Sequence, residues 1–396
     1  MPASTYHDAP LYGLRVIDFG QFIAAPAAAQ MLGDLGAEVI KVEPPSGDAS
    51  RHAGWSADAC GPMFAAYNRG KRSIVLDLRE AVDRSAAMEL ALSADIVLQN
   101  ARPGVMEKFG LGAAALRALH PRLVYGSVSG FGHTGPAAAR PGLDIAAQAE
   151  SGMMSLNGDA HADPTRVGFT VVDVMASRTL AAGVLAALVR LGVSGRGAHV
   201  RVSLIDVALD ALGQQWAEYQ LTGEAPSRCG NGQATQAPAA DVLDTADGQI
   251  VLSAYVQEHF ARLCACLGRP ELVNDPRFCD NAARVANRAA LRQALAEALS
   301  GLDADAACAK LIGAGVVCGV VRSVAEAIGH AQASTPDRLV SVTAPGGREL
   351  RIPALPLTVD HASLQGGALP ALGEHTAEVL ASLGSSPSVR ARTLMD

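Results

Sequence analysis

The chain has 396 residues, 49% hydrophobic and 18% charged, a balance that excludes a disordered chain and allows two or three domains with a large core. A net charge of −7 excludes nucleic acid as the main partner, because no surplus of basic surface is on hand to displace counterions. Seven cysteines without a Cys-x-x-Cys pair or a nearby histidine set argue against a metal centre and for a reducing, cytoplasmic setting. Met1 to Pro10 has neither the apolar run nor the basic lead of a secretory leader. Apolar runs such as Leu180 to Val189 are too short and too interrupted by glycine to predict a membrane span.

Taken in order, Arg15–Phe19 reads as a strand, Ala25–Leu35 as a helix, and Ala37–Val42 as a second strand. Ser73–Asp77 is a strand, Ala86–Leu92 a helix, Asp95–Gln99 a strand, Leu111–Leu119 a helix and Leu123–Val128 a strand. Strands separated by helical stretches predict a parallel sheet covered on both faces, with ligands at the carboxyl ends of its strands. Val167–Val172 reads as a buried extended segment leading into a long Ala- and Leu-rich helix that closes near Gly192. His199–Leu204 alternates like a strand, and Ile205–Tyr219 is helical. Thr222–Pro238 is rich in Gly, Pro, Asn and Gln and reads as a linker. Beyond it, Asp241–Tyr255 is hairpin-like around Asp247-Gly248. Phe260–Leu267, Ala289–Leu299 and Ala304–Leu311 are helices of a smaller domain. Leu339–Val342 and Glu349–Pro353 are strand-like, and Glu374–Leu383 is a short helix. The predicted organisation is therefore a large domain beginning in 1–205, a helix and linker at 206–237, a small domain at 238–325, and a return segment at 326–396 that completes the large domain.

Asp173 stands where the extended segment meets the long helix. Free N–H groups and the helix dipole at such a place favour an ionised carboxylate. An ionised, partly enclosed carboxylate is a nucleophile that needs no base to activate it. By itself the residue reads first as a plain helix cap, the commonest job at this position.

Gly130-Phe131-Gly132-His133-Thr134-Gly135 follows a strand and matches G-x-G-x-x-G. Pro136 follows at once, however, so no helix offers its N-terminus to a pyrophosphate, and a dinucleotide site is not expected. No triad can be assembled from the ten scattered histidines. Arg51, Arg69, Lys71, Arg72, Arg102, Lys108 and Arg140 gather near predicted strand ends, where together they would suit a multiply phosphorylated ligand.

These features, with Leu14–Phe19, Leu35–Glu43, Asn68–Ser73, Asn100–Gly104 and Ser194–Gly197, resemble the family III CoA-transferases over almost the whole chain. The resemblance implies an α/β fold with a large Rossmann-like parallel-sheet domain and a smaller α+β domain, in an interlocked homodimer. It implies a CoA-transferase in which Asp173 attacks a donor acyl-CoA and passes through an aspartyl-CoA thioester. Coenzyme A thioester is then substrate, and no tightly bound cofactor is called for. CoA contacts map to Phe22, Arg72, Asn100, Lys108, Phe109 and Arg140. Pro44 stands where a basic residue is found in a relative, with Arg51 as a substitute. The family's active-site glycine loop maps to Gly230, Asn231 and Gly232, within Cys229–Gln233. Neither nucleic acid nor membrane is an implied partner, and no metal is implied.

The related α-methylacyl-CoA racemases carry a His-Asp pair where this chain has Leu143-Asp144. Leucine cannot carry a proton, so one base of a two-base racemase is missing. Asp144 then reads as a structural or orienting residue. A racemase-like isomerase and a CoA-binding protein without catalysis remain the alternatives. Arg140 and Arg166 are the candidates for holding a second carboxylate, which points to a small dicarboxylate as acceptor.

Overall fold

A computed structural model of the chain describes residues 9–55, 60–232, 239–330, 335, 338–359 and 367–383. They fall into two compact units, one of residues 1–151, 168–213 and 333–396, the other of residues 152–167 and 214–332. Segment 152–167, read in the sequence as part of the large domain, groups with the smaller unit.

The larger unit begins with β1 (Arg15–Asp18), α1 (Ala24–Asp34), β2 (Glu38–Glu43), α2 (Pro62–Tyr67), β3 (Arg72–Val75) and α3 (Ala81–Leu92). It continues with β4 (Ile96–Gln99), α4 (Val105–Lys108), α5 (Ala113–Leu119), β5 (Val124–Ser129) and α6 (Asp144–Glu150). After the short α7 (Met153–Leu156) of the other unit come α8 (Val171–Ser194), β6 (His199–Ser203) and α9 (Leu204–Asp210). The six strands pair in parallel in the order β3-β2-β1-β4-β5-β6. This is the doubly wound arrangement, in which chain direction across the sheet reverses between β1 and β4 and leaves a crevice at their carboxyl ends.

Val16, Ile17, Ile96, Val97 and Leu98 are completely buried, as continuous apolar runs in a sheet covered on both faces should be. A core cluster joins Ile17, Ile40 and Ile74 of the sheet to Leu90 of α3, Leu116 of α5 and Val379 near the chain's end. Helix α8 packs against α1, β5 and β6. With 24 residues it is longer than its sequence pattern predicts, and its length and apolar composition alone would suffice to cross a membrane. Its packing is that of a core helix: Val172, Ala176, Leu180, Ala181 and Val184 are buried along one stripe.

The smaller unit contains most of α10 (Gly213–Thr222), then β7 (Ala240–Asp244), β8 (Gln249–Ser253), α11 (Gln257–Cys266), α12 (Asn281–Ala286), α13 (Arg288–Leu299), α14 (Ala304–Gly313), β9 (Val317–Val320) and α15 (Val324–Gly329). Strands β7, β8 and β9 form an antiparallel sheet, with Thr245 and Gly248 closing the first hairpin. Ile250, Leu252, Phe260, Phe278, Leu295 and Leu311 make its core.

The chain then returns to the larger unit as β10 (Leu339–Thr343), β11 (Glu349–Pro353) and α16 (Thr376–Leu383). Strand β3 is the edge of the parallel sheet, and the returning chain takes up its hydrogen-bonding groups. His375 donates its backbone N–H to Ser73, and the Thr376 hydroxyl accepts from Val75. Gly70 donates to Ala368, and Arg51 to the Pro370 carbonyl. An edge that would otherwise be open to another strand is thereby covered.

Candidate active site

The carboxyl ends of β1 and β4 are tied together by two hydrogen bonds. The Asn100 side chain accepts from the Gln21 amide at 2.9 Å and donates to the Gln21 carbonyl at 2.8 Å. Phe22 follows with φ of 61°, the only positive value at a non-glycine among the described residues, and the residue is 42% exposed. A phenylalanine held in the left-handed region and left facing solvent marks strain kept for a purpose other than packing. What holds it is an ion cluster beneath the loop. Asp48 accepts from the Phe22 amide, Asp18 accepts from the Gly20 amide, and Lys41 donates to the Gly20 carbonyl at 2.8 Å. Lys41 lies 2.7 Å from Asp48 and 3.9 Å from Asp18, and Lys71 lies 2.8 Å from Asp18. All four side chains are excluded from water. Phe22 and Asn100 thus meet at the switch point. Lys108 is exposed at the end of α4, which follows β4, while Phe109 beside it packs on the core.

Two mapped CoA contacts are engaged in ion pairs. Arg72 opens β3 and pairs with Glu38 and Glu378. It lines a cavity of about 520 Å³ with Arg15, Glu38 and Asp95, at the opposite, N-terminal ends of the strands. Arg140 is exposed, paired with Glu150 at 2.6 Å, and stacked over the Phe131 ring. The expected basic cluster also needs correction. Arg51 cannot stand in for a phosphate contact: it is fully buried and makes two 2.7 Å bonds to Glu43 while stacking on Phe64. Arg69 and Lys71 are likewise spent on Asp34 and Asp18. Arg102 and Lys108 are left exposed on the crevice side.

The buried extended segment expected before Asp173 is not formed. Phe169 is 59% exposed, helix begins at Val171, and Asp173 sits in its first turn. The donors at this helix start go to Asp144. One oxygen of its buried carboxylate accepts from the amides of Val172 at 2.7 Å and Asp173 at 3.2 Å; the other accepts from Gln148. The helix terminus therefore stabilises Asp144 rather than Asp173, which corrects the expectation of a readily ionised Asp173. Burial first, and the Asp144 charge second, push the Asp173 carboxyl up from 3.8 to about 7. The Tyr67 phenol, at the end of α2, lies within electrostatic reach of both Asp173 and Arg178, and burial raises it above the usual tyrosine range. Asp144 was read from sequence as a structural or orienting residue, whereas Tyr67 and Arg178 were not assigned roles. Asp144 is 29 residues from Asp173, and no periodicity signals such a contact. Tyr67 had one available cue, its place directly before Asn68-Arg69.

In the smaller unit, Gly230, Asn231 and Gly232 form a turn, and the neighbouring Gln233 lies outside the described residues. Gly230, at φ of 64°, donates to the Gly158 carbonyl. Arg228 donates to the carbonyls of Ser155, Asp159 and Ala162, and Arg288 bridges Asp241 and the Cys229 carbonyl. A Cβ on Gly232 would overlap the Arg288 guanidinium, so a larger residue there would displace Arg288 from its place between Asp241 and Cys229. Arg166 is exposed in the same unit.

The class these features define is a doubly wound α/β protein whose candidate site offers an enclosed carboxylate. The Gly130–Gly135 match is not a phosphate-binding fingerprint, since the next helix starts only at Asp144. The model of CoA-transferase family III matches residues 11–376. The chain is 39% identical to acetyl-CoA:oxalate CoA-transferase of Acetobacter aceti, over 84% of this chain and 85% of that one. It is 36% identical to succinate–glutarate CoA-transferase of Agrobacterium fabrum, over 94% and 96%. A CAIB/BAIF family protein from Brucella suis superposes with a TM-score of 0.85 at 34% identity, covering 95% of this chain and 99% of that chain. The chain belongs to CoA-transferase family III and is an acyl-CoA:carboxylate CoA-transferase.

Proposed function

We propose that the protein moves CoA between short dicarboxylic acids, with Asp173 as the covalent nucleophile. The carrying observation is the half-buried Asp173 carboxylate beside Asp144, in a chain of this family. A carboxylate stripped of solvent attacks a carbonyl more readily than a hydrated one, once it is ionised. Attack on the donor thioester forms an Asp173–acyl anhydride and expels CoA thiolate. The thiolate then attacks the Asp173 carbonyl, releases the donor acid as its carboxylate, and leaves an aspartyl-CoA thioester. An acceptor carboxylate attacks that thioester, forming a second anhydride and freeing the thiolate again. Thiolate attack on the acceptor's acyl carbonyl yields the new acyl-CoA and restores Asp173. No proton is gained or lost overall, so no second base is needed. The leucine at 143, 67% exposed at the position where a racemase base would stand, agrees with that requirement.

CoA is assigned to the crevice beside Phe22 and Asn100, with Arg102 and Lys108 on its charged side. The dicarboxylate preference is drawn from relatives named for oxalate, succinate and glutarate. The test is incubation with succinyl-CoA and hydroxylamine, followed by peptide mass spectrometry. A hydroxamate on Asp173 is expected. Transfer of CoA with Asp173 never modified would overturn the covalent route, and deuterium uptake at the acyl α-carbon would favour an isomerase instead.

We also propose a homodimer. Val189 and Val193 on α8 are 73% and 89% exposed, more apolar surface than a solvated helix end calls for. Light scattering should return twice the chain mass of 40.6 kDa; a monomer at micromolar concentration would refute the dimer.

A further inference from the structure

Between α6 and α8 the chain leaves the larger unit at Gly152 and rejoins it at Gly168. The excursion comes just before the helix that carries Asp173. Its own bonds close it into a loop. Thr165 donates its amide to the Asn157 carbonyl at 3.3 Å, and the Asn157 side chain donates to the Thr165 carbonyl at 2.9 Å. Gly158 stands inside this neck at φ of 108°, where a Cβ would press on the Thr165 side chain.

The loop is gripped by the segment 228–230 of the smaller unit. The Arg228 guanidinium donates to the carbonyls of Ser155 at 3.4 Å, Asp159 at 3.2 Å and Ala162 at 2.9 Å, and Gly230 donates its amide to Gly158 at 3.0 Å. Among the described residues, every side-chain bond of Arg228 goes to these three backbone carbonyls. A guanidinium has a rigid fork of donors, so three bonds to one loop fix the loop's shape rather than balance a charge. The grip is itself anchored. Arg288 donates to the Cys229 carbonyl at 2.9 Å and is paired with the buried carboxylate of Asp241.

The other end of the loop runs into α8, which begins without help from its own N-cap. The Thr170 side chain makes no capping bond. The first turn is held instead by Asp144 at the start of α6, which accepts from the amides of Val172 and Asp173. The direction in which the chain enters α8 is thus left to Asp144 and to the loop that precedes the helix.

We propose that Arg228 is a positioning residue for CoA transfer. By fixing the carbonyls of Ser155, Asp159 and Ala162 it sets the path of the chain into α8, and so the placing of the Asp173 carboxylate. It acts through the loop and not on the reacting atoms. The inference rests on the reading of Asp173 as nucleophile given above.

The test uses the full chain with succinyl-CoA as donor and glutarate as acceptor. For Arg228→Met, kcat should fall about tenfold to a hundredfold while KM for succinyl-CoA stays within about twofold, because a small misplacement of a reacting group costs rate rather than binding. Trapping of Asp173 by hydroxylamine should slow by the same factor. Arg228→Lys, which keeps a donor for one or two of the carbonyls, should regain part of the loss. Asn157→Ala opens the neck of the same loop and should act in the same direction. The double variant Arg228→Met/Asn157→Ala should then lose less than the product of the two single losses, since both act through one loop. Asp303→Ala serves as the control. It removes the cap of α14, where Asp303 accepts from the Ala306 amide at 2.7 Å, and so weakens the smaller unit without touching the loop. It should leave kcat unchanged. An unchanged kcat for Arg228→Met, an effect confined to KM, a double loss equal to the product, or an equal loss in Asp303→Ala would overturn the assignment. If the unaltered protein neither transfers CoA nor forms a hydroxamate on Asp173, the reading of its function fails instead, and that is seen before any variant is made.

Discussion

Asp173→Asn is expected to lower CoA transfer by about 10⁴-fold or more and, at the same time, to make the protein more stable. The first effect follows from removing the nucleophile, since an amide oxygen can neither attack the thioester nor carry CoA. The second follows from the displaced pKa. In the unfolded chain the carboxyl titrates near 3.8, and in the folded protein near 7. The folded state therefore binds the proton more tightly, and ionising Asp173 works against folding. That penalty is absent below pH 4, grows between pH 4 and 7, and is complete above pH 7, where it is about 2–4 kcal/mol. Asparagine cannot ionise and escapes it. Thermal melts should show a gain for Asp173→Asn that is small at pH 4.5 and large at pH 8. A pH-independent gain, or none, would show that Asp173 is not held in an unfavourable ionised state. Transfer by the unaltered protein should rise with pH through an apparent pKa near 7, because the ionised form does the work. Preserved transfer in the variant would remove Asp173 from the reaction.

The second large effect is expected at Lys41→Met. Burial weakens the charged form of this lysine, but Asp18, Asp48 and Glu43 outweigh it and hold the ammonium above its usual range. Removing the ammonium leaves Asp48 without its cation in a site closed to water. Breaking a buried pair from one side costs about 3–5 kcal/mol, a large share of what keeps a domain folded. Denaturant titration should show that loss, and it should be smaller in the double variant Lys41→Met/Asp48→Asn, which removes both charges. The loop Gly20–Phe22 should loosen as well, since Lys41 and Asp48 are what hold it. A single variant within about 0.5 kcal/mol of the unaltered protein would refute this account.

Much of the fold could be read along the sequence. Strands β1, β2, β4 and β5 each carry a short β-branched or apolar stretch and are buried along nearly their whole length, so their places show in the sequence. Helix α3 starts five residues before the predicted Ala86 because its first turn, including Val82 at 80% exposure, faces water and carries no apolar period. The predicted helix Ile205–Tyr219 is broken between α9 and α10, where Leu212 is buried. The site divides in the same way. Asp173 was singled out by its place at the junction before a long helix, and Phe22 and Asn100 by the family resemblance. Arg72 was misplaced because a motif preceding a strand looks like one following it until the strand's direction in the sheet is known. Asp144 was read as structural or orienting, but its hold on the α8 start, like the approach of Tyr67 to Arg178 and Asp173, is a contact across the fold that leaves no local signal.

The covering of β3 by the returning chain has a consequence for synthesis. Ser73 meets His375, a partner 302 residues further on. At about 5–20 residues per second, a ribosome needs roughly 15–60 s to make that stretch. During that interval the sheet edge has nothing from its own chain to close it. Nascent copies on one message are thus exposed to edge-to-edge pairing until the last segment emerges, and this is the stage at which a chaperone would matter most.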